Sequence, residues 1–161
     1  MQWKSALAAL AALAFSAGAH GHGDAAHDTK PRAISTEETV FGREGDPRKV
    51  SRTIDVEMSD KMRFTPGSLQ IRQNDTVRFR VKNAGKVMHE MVIGTLDELK
   101  KHAELMKKFP NMEHEEPYMA HVAPGRSETI VWQFNKTGEF HYGCLVPGHF
   151  EAGMVGRIVV N

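Results

Sequence analysis

The C-terminal part of the chain spaces a thiol, an imidazole and a thioether evenly. Cys144, His149 and Met154 are separated by two gaps of four residues, and Cys144 is the only cysteine in the chain. Pro147-Gly148 and Gly153 lie in the gaps and favour tight turns. A single loop can therefore point all three side chains at one interior point, with one strand ending at the cysteine and another beginning at the methionine.

A fourth donor has to come from another part of the chain, and His89 is the best candidate. It follows a break at residues 83–85 and enters the apolar segment 91–93, as a neighbouring strand end would. A thiolate and two imidazoles with a weak axial thioether suit both Cu(I) and Cu(II), whereas zinc usually takes four strong ligands. The alternative for Cys144 is a buried, inert core cysteine. The spacing favours a copper site made of His89, Cys144, His149 and Met154.

The N-terminal histidines are candidates for additional copper binding. If cleavage follows Ala19, the mature chain begins His20-Gly21-His22. A histidine at the third position can bind Cu(II) together with the free amine and two backbone amides, in the square-planar nitrogen geometry that Cu(II) prefers. His27 could add to this site. The alternative is a polar tail beside a cleavage site.

A second group of candidate copper ligands lies between residues 111 and 125, which are predicted to form a long loop. Met112 and His114 are two residues apart, and so are Met119 and His121. Thioether plus imidazole suits Cu(I), so a weaker second site is one interpretation. The other is that these methionines pack against the folded domain.

The elements around these residues have the pattern of an all-β protein. Apolar and polar residues alternate at 54–58, 69–71 and 77–81, and further strands are predicted at 128–134, 139–143 and 154–160. His141 is out of phase with Tyr142 and is predicted to be a cross-strand surface residue. Thr95 and Glu98 have capping-box spacing at the start of one helix, which Pro110 ends. Short strands with one helical insertion predict an antiparallel β-sandwich.

The first residues of the chain differ from the rest. Lys4 precedes an apolar run at residues 5–15, and Ala17-Gly18-Ala19 has the pattern of a signal-peptidase site. This run is too short to cross about 30 Å of hydrocarbon. We therefore expect a signal peptide at 1–19, a flexible histidine-containing arm at 20–46, a folded domain at 47–161, and a periplasmic location.

The charge distribution excludes some kinds of partner. The formal net charge is +1, and basic and acidic residues are interleaved without a polybasic block. Nothing in this pattern favours nucleic acid or anionic lipid as a partner. We expect a monomer without a membrane span, whose ligand is a copper ion.

The motif Cys144-Leu-Val-Pro-Gly-His149-Phe-Glu-Ala-Gly-Met154 resembles the copper loop of cupredoxins such as azurin, plastocyanin and auracyanin. Residues 62–66, 83–85 and 89–93 resemble the N-terminal half of those proteins, so the resemblance covers about residues 50–161. It implies a Greek-key β-sandwich with type 1 copper bound by His89, Cys144, His149 and Met154. Plastocyanin has a shorter Cys-to-His gap and azurin a shorter His-to-Met gap. The whole pattern is closest to the periplasmic copper-tolerance cupredoxins of the CopI type.

Two functions are compatible with these features. One is a one-electron carrier that docks briefly with a redox partner through apolar residues around His149, such as Val146 and Phe150. The other is copper handling that limits copper toxicity, which the additional histidines and methionines favour. A copper nitrite reductase or multicopper oxidase would need a histidine next to the cysteine, but Gly143 and Leu145 flank Cys144. We therefore do not expect an enzyme.

Overall fold

The computed structural model describes residues 33–110, 112 and 115–161. This part of the chain contains eleven strands, a short 3-10 turn at Pro47–Lys49 and one α-helix. The strands are β1 Glu38–Thr39, β2 Gly42–Glu44, β3 Arg52–Ser59, β4 Arg63–Thr65, β5 Ser68–Ile71, β6 Thr76–Asn83, β7 His89–Gly94, β8 Met119–Val122, β9 Ser127–Gln133, β10 Gly138–Gly143 and β11 Val155–Val160, and helix α1 is Leu96–Lys108.

The strands form two sheets that share one apolar core. One sheet has the order β1-β2-β9-β6-β3-β4, and the other has the order β5-β11-β10-β7-β8. The β3–β6 and β5–β11 pairs are parallel, whereas the other pairs are antiparallel. The predicted β-sandwich is confirmed, but its predicted antiparallel pairing is wrong for these two pairs. Alternation along a strand shows which face is buried but not the direction of the neighbouring strand, so the sequence pattern could not reveal this.

The core is built from the inward residues of both sheets. Phe79, Trp132 and Tyr142 are each at most 1% exposed. Burying an apolar side chain of this size contributes about 1.5–3 kcal/mol to the free energy of unfolding. Gly156 lies opposite Tyr142 across β10 and β11. A β-carbon at Gly156 would lie 2.1 Å from the Tyr142 ring, so this contact requires glycine.

The first two strands correct the predicted extent of the N-terminal arm. Residues 38–44 lie within the segment predicted to be a flexible arm, but β2 pairs with β9 and extends the sheet. Phe41, between β1 and β2, is 4% exposed and packs against Tyr118 and Trp132. These strands are too short and too poor in aliphatic residues to give a periodic signal, and a single aromatic side chain anchors them.

Helix α1 confirms the predicted insertion. The Thr95 hydroxyl accepts a hydrogen bond from the Glu98 N–H, and the Glu98 carboxylate accepts one from the Thr95 N–H. The helix buries Leu99, Ala103 and Met106 in a small cluster beside the sandwich that also contains Leu145. It therefore covers the residue that follows Cys144. No helix in the described part of the chain is long and apolar enough to cross a membrane.

Candidate metal centre

Two neighbouring strands bring His89 and Cys144 to the same end of one sheet. His89 is the first residue of β7, and Cys144 directly follows β10. These strands are antiparallel, with Gly143 opposite Val92, so the start of one lies near the end of the other. Both His89 and Cys144 are 0% exposed. The pairing of distant strands thus places an imidazole and a thiol in one buried space.

The loop from Cys144 to Met154 closes on itself through its backbone. The Cys144 N–H donates to the Met154 carbonyl over 3.1 Å, and the Met154 N–H donates to the His149 carbonyl over 3.0 Å. Gly148 and Gly153 have φ values of 87° and 89°. Residues with side chains rarely adopt this conformation, so the two glycines allow the tight path that returns His149 towards Cys144.

The donor atoms of three residues converge. The Cys144 Sγ lies 3.3 Å from the His149 Nδ1 and 3.9 Å from the His89 Nδ1. All three ligand atoms lie within 4.8 Å of one another, and the two imidazole centroids are 4.9 Å apart. Among the described residues, this is the one group of three or more His, Cys, Asp or Glu side chains with such geometry. His149 is half-buried, so it is the most accessible of the three.

Met154 is fixed at the same end of the molecule. Its side chain is 0% exposed and belongs to the core cluster that contains Cys144. Its backbone hydrogen bonds join it to both Cys144 and His149. The predicted axial thioether therefore belongs to a residue that the loop ties directly to two of the other candidate ligands.

A buried carboxylate supports the loop from the neighbouring strand. Glu90 is 3% exposed, its Oε1 accepts a 2.8 Å hydrogen bond from the Leu145 N–H, and its Oε2 lies 2.9 Å from the His121 Nδ1. The Glu90 N–H points at the Cys144 Sγ over 3.4 Å. Sequence reasoning missed this residue. The available signal was an acidic residue directly before the apolar segment 91–93.

A second carboxylate contacts the first histidine. The Asp60 Oδ1 lies 3.1 Å from the His89 Nε2, on the opposite side of the ring from the atom that faces Cys144. Asp60 is 29 positions before His89 in the chain, and no local pattern connects them. The contact between Asp60 and His89 is therefore visible only in the folded structure.

Burial shifts the pKa values of two of the candidate donors, Cys144 and His149. Burial raises the pKa of the Cys144 thiol to about 12, and the Glu90 charge adds to this rise, whereas the Glu90 and Val146 N–H groups oppose it. Burial, followed by the charge of His89, lowers the pKa of His149. The Lys86 N–H, followed by His89, holds the pKa of Asp60 below its ordinary value. At neutral pH the metal-free site therefore offers a neutral His149 imidazole and a protonated thiol, and metal binding displaces the thiol proton.

Three of the additional candidate copper ligands, Met112, Met119 and His121, lie in the described part of the chain, and none of them belongs to the group of converging donors. Met119 packs into the helix-covered cluster, and Met112 is 41% exposed next to Phe109. His121 lies beside Glu90. His20, His22, His27 and His114 lie outside the described residues. Whether any of these side chains binds copper stays a prediction.

The donor set has the chemistry of a copper centre. One soft sulfur and two imidazole nitrogens match a trigonal His₂Cys site, and the buried Met154 is the residue predicted to supply the weak axial donor that such sites use. A structural zinc site would need a fourth strong ligand in place of a thioether. The residues that converge here therefore fit copper better than zinc.

Comparison with known proteins agrees with this geometry. Residues 50–161 match the family described as copper binding proteins, plastocyanin/azurin family. The copper-resistant cuproprotein CopI of Rubrivivax gelatinosus is 48% identical over 147 residues, covering 88% of this chain and 84% of that protein. CopI of Vibrio cholerae is 38% identical over 111 residues, covering 68% of this chain and 66% of that protein.

Solved structures show the same fold. The crystal structure of reduced auracyanin from Roseiflexus castenholzii is similar with a TM-score of 0.60 at 22% identity, over 70% of this chain and 98% of that one. This likeness confirms the predicted cupredoxin β-sandwich with one helix. The chain belongs to the plastocyanin/azurin family of copper-binding proteins.

Proposed function

We propose that His89, Cys144, His149 and Met154 hold a single copper ion in a type 1 centre that cycles between Cu(I) and Cu(II). The observation that carries this proposal is the convergence of the Cys144 Sγ with the Nδ1 atoms of His89 and His149. Copper bound there supplies one-electron chemistry. The protein holds its donors in place, because two of them are buried at strand ends and the loop is closed by backbone hydrogen bonds.

The physiological role that we propose is copper tolerance in the periplasm. The relatives that align over most of the chain are named copper-resistant cuproproteins. The apolar run and small-residue motif before His20 support export, and the histidines that follow support additional copper binding. On this proposal, residues 1–19 are removed and the folded domain acts with a histidine-containing segment ahead of it.

A one-electron carrier is the second candidate. Val87 and Met88, which immediately precede His89, are each 45% exposed. Val146 and Phe150 are partly buried on either side of His149. Apolar side chains beside an accessible ligand suit brief docking of a redox partner. The two roles are compatible, since a centre that oxidises Cu(I) also has to pass on an electron.

Copper titration of the mature protein tests the proposed centre. We expect intense visible thiolate charge-transfer absorption that saturates at a single copper and is abolished by Cys144→Ser. Circular dichroism of the metal-free variant checks that the sandwich remains folded. Retention of the full absorption by folded Cys144→Ser protein would refute the proposed ligand set.

Growth of a deletion strain distinguishes the two roles. Copper tolerance predicts poorer growth than the parent strain in excess copper and rescue by the wild-type gene but not by the Cys144→Ser gene. Normal growth of the deletion strain in copper would favour the electron carrier.

A further inference from the structure

The ring of His89 is held on both sides. Its Nδ1 faces the Cys144 Sγ, and its Nε2 lies 3.1 Å from the Asp60 Oδ1. The imidazole is 0% exposed, whereas the Asp60 side chain is 40% exposed. The carboxylate therefore closes the space between the buried ring and the surface.

Asp60 is itself fixed by the turn before β7. Its Oδ2 accepts a 2.8 Å hydrogen bond from the Lys86 N–H. Asn83 is 0% exposed and shapes this turn, because its side chain accepts from the Gly85 N–H and donates to the Val87 carbonyl, each over 2.8 Å. The carboxylate is thus bound to the segment that leads into His89.

Gly85 makes the close approach of Asp60 possible. A β-carbon at Gly85 would lie 2.0 Å from the Asp60 Oδ1, the same atom that contacts His89. No side chain can therefore occupy position 85 while Asp60 stays where it is. The chain has glycine at the position where the carboxylate would otherwise be displaced.

We propose that Asp60 is a positioning residue for the copper centre, which keeps the proton of His89 on Nε2, aims Nδ1 at the metal and favours Cu(II) over Cu(I). This inference rests on the proposed function. A carboxylate that accepts the second N–H of a ligating histidine fixes its tautomer and ring orientation and increases its basicity as a ligand. The negative charge also stabilises the ion with the higher positive charge more strongly.

A purely structural role for Asp60 makes a different prediction. If the carboxylate only capped the Lys86 turn, its loss would lower the free energy of unfolding but would change Cu(I) and Cu(II) affinities alike. A positioning role instead predicts that Cu(II) affinity falls more than Cu(I) affinity. The ratio of the two affinities separates the roles.

The hydrogen bond can be tested without copper. In ¹H–¹⁵N spectra of the metal-free protein, we expect the His89 Nε2 proton as a downfield, slowly exchanging resonance. Asp60→Ala should accelerate its exchange until the resonance is lost. A protonated Nδ1 in the wild type, or an unchanged Nε2 proton in Asp60→Ala, would overturn the proposal. Because no metal is present, this result is independent of whether the copper proposal holds.

Competition titrations with Cu(I) and Cu(II) chelators measure the two copper affinities and so test the effect of the Asp60 charge. Loss of a carboxylate partner of this kind typically weakens metal binding 10–100-fold, so we expect a Cu(II) loss in that range for Asp60→Asn and a smaller Cu(I) loss. Gly85→Ala should lower the ratio of Cu(II) affinity to Cu(I) affinity as well, since the new β-carbon displaces the Asp60 carboxylate. Asp55→Asn is the matched control, because Asp55 is exposed and bound to Arg80.

The outcomes are distinct. A larger loss of Cu(II) affinity than of Cu(I) affinity in both Asp60→Asn and Gly85→Ala, with both affinities unchanged in Asp55→Asn, supports the proposal. Equal losses for the two oxidation states, or affinities within about twofold of the wild type, overturn it. Failure of the wild type itself to bind copper would refute the proposed function instead.

Discussion

His141 shows how burial lowers the pKa of a histidine outside the metal centre. Its side chain is 14% exposed, and its Nδ1 is buried without a hydrogen-bond partner in the described part of the chain. Burial lowers the pKa of His141, and the nearby charges of Arg157 and Lys100 lower it further against the opposing charge of Glu139. The sequence predicted a surface residue here. His141 does alternate with the buried Phe140 and Tyr142, but its own side chain is largely covered as well.

This burial makes stability depend on pH. In the unfolded chain His141 takes up a proton near its ordinary pKa of 6.5, whereas in the folded protein it does so only at lower pH. The unfolded state binds more protons in that window, so the free energy of unfolding falls as pH drops through 6.5. We expect the loss between pH 7 and pH 5 to be smaller in His141→Gln than in the wild type, measured by urea unfolding of the metal-free proteins. Above pH 7.5 the free energies of unfolding of the two proteins should change with pH in parallel. Equal losses of this free energy below pH 7.5 would contradict the role of His141.

The candidate donors could be predicted from the sequence, but the carboxylates that contact this site could not. Cys144, His149 and Met154 lie in one short loop, so their types and spacing are visible locally. Asp60 and Glu90 act through hydrogen bonds to residues 29 and 55 positions away. Such contacts depend on strand pairing, which a single sequence does not display. Sequence patterns thus identify the candidate metal donors but not the carboxylates that are hydrogen-bonded near them.

Helix α1 depends on its N-cap at the scale of one element. Thr95 and Glu98 satisfy each other's backbone N–H groups, and the helix covers Leu145. Thr95→Ala should lower the free energy of unfolding by about 0.5–2 kcal/mol, as loss of an N-cap typically does. Thr95→Ser keeps the hydroxyl and is the matched control. We expect denaturant unfolding to show the loss in the alanine variant only, while both variants keep the wild-type visible spectrum when loaded with copper.

The β1–β2 segment depends on Phe41. This side chain is 4% exposed and stacks on Trp132 at a centroid distance of 5.3 Å. Phe41→Ala should lower the free energy of unfolding by about 3–5 kcal/mol. Val40 is 62% exposed, so Val40→Ala should change it by less than about 0.5 kcal/mol. Similar small losses in both variants would show that residues 38–44 contribute little to the folded domain.

Long periodic elements and local caps were predictable, whereas short edge elements were not. β3 and β6 alternate over eight residues each, and the capping box of α1 is visible within four positions. β8 lies inside the predicted long loop at 111–125 and has four residues. Its identity as a strand comes from pairing with β7, where His89 faces Val122. A strand of this length is specified mainly by its neighbour.

At the scale of the whole molecule, the proposed copper centre and both sheets lie within residues 33–161. A chain that begins at Ala33 should therefore retain the visible absorption and the unfolding free energy of the mature protein. A chain that begins at Pro47, the boundary predicted from the sequence, lacks β1, β2 and Phe41. It should lose at least about 3 kcal/mol, because the packing of Phe41 is removed. Equal stability of the two truncated chains would contradict the assignment of residues 38–44 to the sheet.

The same truncation separates the two physiological roles. If the histidines before residue 33 bind copper, the chain that begins at Ala33 should bind less total copper than the mature protein while its charge-transfer absorption per chain is unchanged. Metal analysis after equilibrium dialysis measures the first quantity, and visible spectroscopy measures the second. An unchanged total would remove one argument for copper handling, since the folded domain would then account for all bound copper. A reduced total, with poorer growth in excess copper of cells that express the truncated chain, would connect the segment ahead of the domain to tolerance.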